Sequence, residues 1–200
     1  MINTEEKLRA LYGFAKGKAI DKQLNELEFH SRNFIHHSPF VLLSTSSKNG
    51  DVDCSPRGGE AGFVKIIDSH TIILADSKGN NRLDSLVNII ETKKIGCLFL
   101  IPAVDETLRV NGEALISTDK MYLDLFTQSQ VPPKSCIVIT IKEVFLHCAK
   151  ALMRSKLWDE SSKIERCDFP SMGKMINDQL SISDSPENQD DMKRRYKQDL

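Results

Sequence analysis

The sequence predicts a mainly β fold with flanking helices, an α+β protein built on an antiparallel barrel of six or seven strands. Three observations carry this expectation. Phe40–Ser46 (FVLLSTS), the turn SKNGD and residues 52–55 read as a hairpin closed at an Asn-Gly turn. Residues 107–116 (TLRVNGEALI) alternate, with Leu108, Val110, Ala114 and Ile116 on one face and Arg109, Asn111 and Glu113 on the other, and Gly112 marks a bulge. Apolar, β-branched runs then recur in hairpin order with few helices between them, which favours a barrel over a sandwich or a parallel sheet.

Along the chain, Thr4 caps a short helix over Glu5–Tyr12, and a longer helix carries Ile20, Leu24, Leu27, Ser31, Phe34 and Ile35 on one face until Ser38-Pro39 stops it. His30, His36 and His37 sit on or near this helix without acidic or cysteine partners, so a packed or solvated role is expected for them and no metal site. After the hairpin, Pro56-Arg57-Gly58-Gly59 interrupts the sheet, residues 62–67 form a third strand and Thr71–Ala75 a fourth. A helix follows, then strands at 95–101 and 107–116. Thr118 caps a helix containing Met121, Tyr122, Leu125 and Phe126, Pro132-Pro133 breaks the chain, and 136–148 is a long strand. Residues 149–158 form a basic amphipathic segment, Met172–Leu180 a further helix, and 181–200, polar and charged, a mobile tail.

Two hundred residues, 40% hydrophobic and 28% charged, suit one soluble domain with a sizeable core. The 27 basic and 28 acidic side chains leave a net charge near zero, so no global field draws nucleic acid or membrane lipid, and any anion site is local. The amino terminus has no apolar signal core and no run approaches a membrane span, which places the protein in the cytoplasm. Five cysteines, odd in number and without CxxC pairs, argue against a disulfide framework and a structural zinc. Cys97 and Cys136 read as core fillers.

One stretch carries chemistry. In residues 71–91 (TIILADSKGNNRLDSLVNIIE) the apolar period changes from that of a strand to that of a helix whose face is Leu83, Leu86, Val87 and Ile90. Between them lies a polar loop. Gly79 supplies backbone freedom, Asn80 or Asn81 caps the helix, and Lys78 and Arg82 add positive charge to a helix start that already favours anions. This is either a phosphate cradle or an ordinary solvated strand-to-helix turn.

SPRGG and GFVK after one strand, GNNRLDSL after the next, then FLIP, TLRVNG and RSKLW, in that order, resemble the pyridoxamine 5'-phosphate oxidase-like flavoproteins over about residues 40–158. The resemblance implies an FMN-binding split β-barrel, a homodimer with flavin sites at the subunit interface. It divides the chain into N-terminal helices (1–38), the FMN-binding barrel domain (39–158) and a C-terminal extension (159–200). It puts the phosphate on Asn80, Asn81 and Arg82, and the ring and ribityl chain beside Ser55, Arg57, Phe63, Val64 and Lys65. Arg57 or Lys65 would then stabilise the reduced flavin near its N1–O2 edge. Thr107 stands where relatives carry a side-chain amide, with Arg109 and Asn111 on the same strand. Arg154, Ser155, Lys156 and Trp158 occupy the substrate region. The pyridoxal-phosphate pattern of the true oxidases is not recognisable there.

The implied activity is an FMN-dependent oxidoreductase passing hydride or electrons between a nicotinamide-type donor and a small organic acceptor. A non-catalytic flavin- or haem-binding module is the alternative, ahead of a true pyridoxamine 5'-phosphate oxidase. No Ser-His-Asp, Cys-His or paired-carboxylate arrangement offers a competing chemistry.

Overall fold

The fold is described from a computed structural model, covering residues 1–128 and 131–198. Helix α1 (Glu5–Tyr12) is capped by Thr4, as expected. The long second helix is not formed. In its place stand a single turn, α2 (Lys18–Asp21), and a separate helix, α3 (Phe29–His37). Glu28 starts α3 through a capping box in which its carboxylate accepts from the Ser31 and His30 amides, while Ser31 Oγ accepts from the Glu28 amide. Leu24, expected on a helix face, instead pairs with Val144, giving and receiving one backbone hydrogen bond.

Seven strands follow: β1 (Phe40–Ser46), β2 (Val52–Gly58), β3 (Lys65–Ile66), β4 (Thr71–Ala75), β5 (Lys94–Leu100), β6 (Thr107–Ser117) and β7 (Cys136–His147). They form one antiparallel sheet in the order β2-β1-β5-β6-β7-β4-β3. β2 runs through Pro56 and Arg57 to Gly58 rather than stopping before them, because it lies at the sheet edge, where a proline costs no ladder bond on its open side. The third strand is shorter than the 62–67 run suggested. Inward residues of β1, β4, β5, β6 and β7 merge into one core with Leu27, Phe34 and Ile35, although three strands lie between β1 and β4 in the sheet. The sheet therefore curls on itself into a barrel. Its edges, β2 and β3, are joined by residues 59–64 and share no ladder among the described residues, so the barrel is split there.

Gly112 makes the expected bulge: the β6–β7 register shifts between Asn111 and Gly112, and a Cβ at Gly112 would lie 2.2 Å from the Thr140 carbonyl oxygen. Cys97 and Cys136 are buried, and burial pushes the Cys97 thiol up to about 12. A smaller cluster of Ile73, Phe126, Cys136 and Val138 seals the outer side of β4 and β7 under helix α5 (Lys120–Leu123) and the 3₁₀ turn Asp124–Phe126. Asp119, not Thr118, caps α5 by accepting from the Met121 amide.

The helix after β4, α4 (Asp84–Thr92), lies across the β1–β2 hairpin, and of the predicted face only Leu86 is turned inward. Leu86 and Ile89 are buried with Ser85 and Asn88, whereas Leu83, Val87 and Ile90 are 47%, 48% and 71% exposed. The reason is polar. Ser85, Asn88 and Thr92, at i, i+3 and i+7, each bond the hairpin: Ser85 Oγ donates to Asp53 (2.6 Å), Asn88 Nδ2 to Thr45 Oγ1 (3.0 Å) and Thr92 Oγ1 to the Ser46 carbonyl (3.0 Å). These bonds set the roll of the helix and leave an apolar stripe outside.

Beyond the barrel come α6 (Lys150–Ser155), α7 (Met172–Leu180) and α8 (Gln189–Tyr196). The last falls in the segment read as a tail. Asn188 caps it, and an Arg195–Glu187 ion pair (2.7 Å) ties it to the preceding turn. The end of that tail, residues 199–200, lies outside the described residues. No helix among the described residues is long and apolar enough to cross a membrane.

Candidate functional site

On β2 the period of two places Asp53, Ser55 and Arg57 on one face, each half-buried. That face looks onto the start of α4 and the loop between β4 and α4, which is pinned at its base by the Asp76 amide donating to the Ser135 carbonyl (3.0 Å). Between these pieces and Val131, Pro132 and Lys134 opens a cavity of about 580 Å³. Of the residues singled out in the sequence, Ser55, Arg57, Phe63, Asn80, Asn81 and Arg82 line it together.

The loop is held in an unusual backbone. Asn81 (φ 62°) and Leu83 (φ 61°) are left-handed, and Gly79, expected to supply that freedom, is not. Asparagine tolerates this conformation, but a branched leucine there costs on the order of 1–3 kcal/mol. Neither Asn80 nor Asn81 caps α4. Asn80 Oδ1 accepts from the Arg82 amide (3.0 Å), forming an Asx turn, and Leu83 occupies the cap position. No side chain among the described residues caps α4, so the N–H groups of its first turn, with their partial positive charge, meet the cavity. Arg82, largely exposed, donates from Nε to Asp84 Oδ2 (2.9 Å), and the carboxylate raises the guanidinium pKa further.

Arg57 lies at the same helix end. Its Nη1 donates to Ser55 Oγ and to the Pro56 carbonyl, both at 2.9 Å, and its Nη2 approaches Ser85 Oγ (3.4 Å). Burial pushes the Asp76 carboxyl above the usual carboxylate range, against the pull of Arg57. An uncapped helix start, two guanidiniums and a row of small polar groups around one cavity suit a phosphorylated ligand.

The other predicted residues lie elsewhere. Val64 is core, and the Lys65 ammonium donates to the Gly62 carbonyl (3.0 Å). Thr107 is buried opposite His147. Arg109 pairs with Glu143 (2.5 Å) and stacks on Phe145, 4.4 Å from the ring centroid, and its buried Nε has no hydrogen-bond partner among the described residues. Burial first, then Arg109 and Lys22, hold the neighbouring His147 imidazole below its ordinary value. Arg154 and Lys156 are exposed, and Trp158 Nε1 donates to the Val104 carbonyl (3.0 Å), so this segment closes over the β5–β6 turn. Sequence reading missed Asp53, Ser85 and Asp76. The alternation of β2 could have pointed to Asp53, whereas Ser85 was hidden by the apolar residues beside it.

A family model described as pyridoxamine 5'-phosphate oxidase matches residues 27–148, more than half of the chain. No curated protein matches it. Among solved structures, HupZ of Group A Streptococcus superposes with a TM-score of 0.51 at 17% identity, covering 60% of this chain and 93% of that one. A putative pyridoxamine 5'-phosphate oxidase from Lactobacillus delbrueckii gives a TM-score of 0.49 at 19% identity, covering 62% and 98%. At such identity the likeness to HupZ carries the fold alone.

Proposed function

The chain belongs to the pyridoxamine 5'-phosphate oxidase family, and from that premise we propose that it binds FMN and acts as an FMN-dependent oxidoreductase. It passes hydride or electrons between a nicotinamide-type donor and a small organic acceptor. The observation that carries this reading is the uncapped start of α4 opening into one cavity with Arg57, Arg82, Asn80 and Asn81. Arg57 is assigned to the phosphate rather than the ring because its guanidinium sits beside Ser85, in the first turn of α4. Arg82 completes the cradle by turning from Asp84 to the incoming dianion.

Bound FMN supplies the redox chemistry itself. The protein's part is to neutralise the phosphate, fix the ring and exclude water. Phe63, on the cavity wall, offers an apolar surface to the ring, and Val64 and Lys65 follow it in the chain. Thr107, Arg109, Arg154, Lys156 and Trp158 lie outside this lining; of these, the exposed Arg154 and Lys156 are available to a second copy's site in a homodimer. The exposed stripe Leu83, Val87 and Ile90, which begins at the cavity rim, supports such a dimer.

Purified protein is expected to carry a flavin spectrum or to acquire one on titration with FMN, and anaerobic NADH or NADPH should bleach it. A colourless preparation that ignores added FMN overturns the reading. Binding without bleaching by any donor favours a non-catalytic flavin-holding module.

A further inference from the structure

Resting on the flavin reading, we propose that Asp53 is a positioning residue that aims Arg57 at the ligand phosphate through a one-way chain of two serine hydroxyls. Arginine only donates hydrogen bonds and a carboxylate only accepts them, so the two ends fix every proton between. Ser85 Oγ lies 2.6 Å from Asp53 Oδ2 and gives its proton to it. Ser55 Oγ, 2.8 Å from Ser85 Oγ, must therefore donate to Ser85, and it accepts in turn from Arg57 Nη1 at 2.9 Å. The order is Arg57 to Ser55 to Ser85 to Asp53.

Both hydroxyl protons are thereby committed, so Ser55 and Ser85 have none to offer an anion. They hold the arginine. With the second Nη1 proton on the Pro56 carbonyl, Arg57 keeps Nε and one Nη2 proton for a ligand. A chain with a cation at one end and an anion at the other is also stronger than a chain of neutral groups, since both terminal bonds are charge-assisted. Asp53 is placed for this by two elements at once: it faces Thr45 in the β1–β2 ladder and takes the first of the three bonds that seat α4. Seating the helix and aiming the arginine are thus one arrangement.

The test compares the affinities of FMN and riboflavin, whose difference isolates the phosphate. Arg57→Ala, Ser85→Ala and Asp53→Ala are each expected to lower the FMN-to-riboflavin preference about tenfold. Asp53→Asn, which keeps an acceptor for Ser85, should lose about threefold or less. The double variant Arg57→Ala with Ser85→Ala should be no weaker than Arg57→Ala alone. If Arg57→Ala lowers the preference while Ser85→Ala and Asp53→Ala stay within twofold of the parent, the relay is wrong and the phosphate site stands. Equal losses for both flavins, or additive losses in the double variant, also overturn it. An Arg57→Ala variant with unchanged preference removes the arginine from the phosphate site and the relay with it.

Discussion

Arg82 is the residue on which both sequence motif and cavity geometry converge, yet its guanidinium is paired with Asp84 and largely exposed. Its contribution should therefore appear only against the phosphate. Arg82→Ala is expected to weaken FMN binding about tenfold and riboflavin binding little, measured by quenching of flavin fluorescence. Cys97 makes a prediction of a different kind. Its buried thiol stays protonated to about pH 12, whereas in the unfolded chain it ionises near about 8.5. The unfolded chain loses the proton first, so the thiol's stabilisation is complete below about 8.5 and is lost as pH rises toward 12. In urea unfolding, the stability advantage over Cys97→Ala should shrink above that pH, and a constant difference would refute it. Such single-residue chemistry was legible in part: a cysteine in an apolar strand announces its burial, but nothing local announces that Ser85 faces Asp53, because that contact joins residues 32 apart.

At the scale of elements, the start of α4 forms one wall of the cavity, while the β6 bulge shapes the β6–β7 ladder of the barrel. Gly112 lets β6 press against the Thr140 carbonyl, and any side chain there must push backbone aside. Gly112→Ala should cost about 1–3 kcal/mol in chemical denaturation. Gly79→Ala should change stability by less than about 0.5 kcal/mol, since its nearest neighbour is 4.0 Å away. Equal effects at the two glycines would remove the bulge from the account. Strand positions were legible because alternation with period two is short-range and barely ambiguous. The face of α4 was not: its apolar residues suggested one stripe, while three polar bonds to the hairpin turned another inward. The helix expected through Leu24 failed similarly, because Glu28 is an atypical cap and β7 offered Leu24 a free edge.

For the molecule as a whole, the stripe left by that rotation matters most. Leu83, Val87 and Ile90 form an exposed apolar row on an otherwise mixed surface, next to the candidate flavin cavity. If the chain pairs through this stripe as proposed, the parent should sediment as a dimer and the double variant Val87→Glu, Ile90→Glu as a monomer with its unfolding midpoint little changed; identical sedimentation of the two would remove the stripe from any interface. The sequence by itself determined most of the strands, the split-barrel family and the loop that lines the candidate cavity, because hydrophobic period and turn residues are local properties of the chain. Only the tertiary structure decided which face of α4 is buried, that Arg57 reaches the start of that helix, and that Ser85 stands between Arg57 and Asp53 there. Those are pairings between distant segments, chosen by the need to satisfy polar groups as the barrel closes, and no local pattern encodes them.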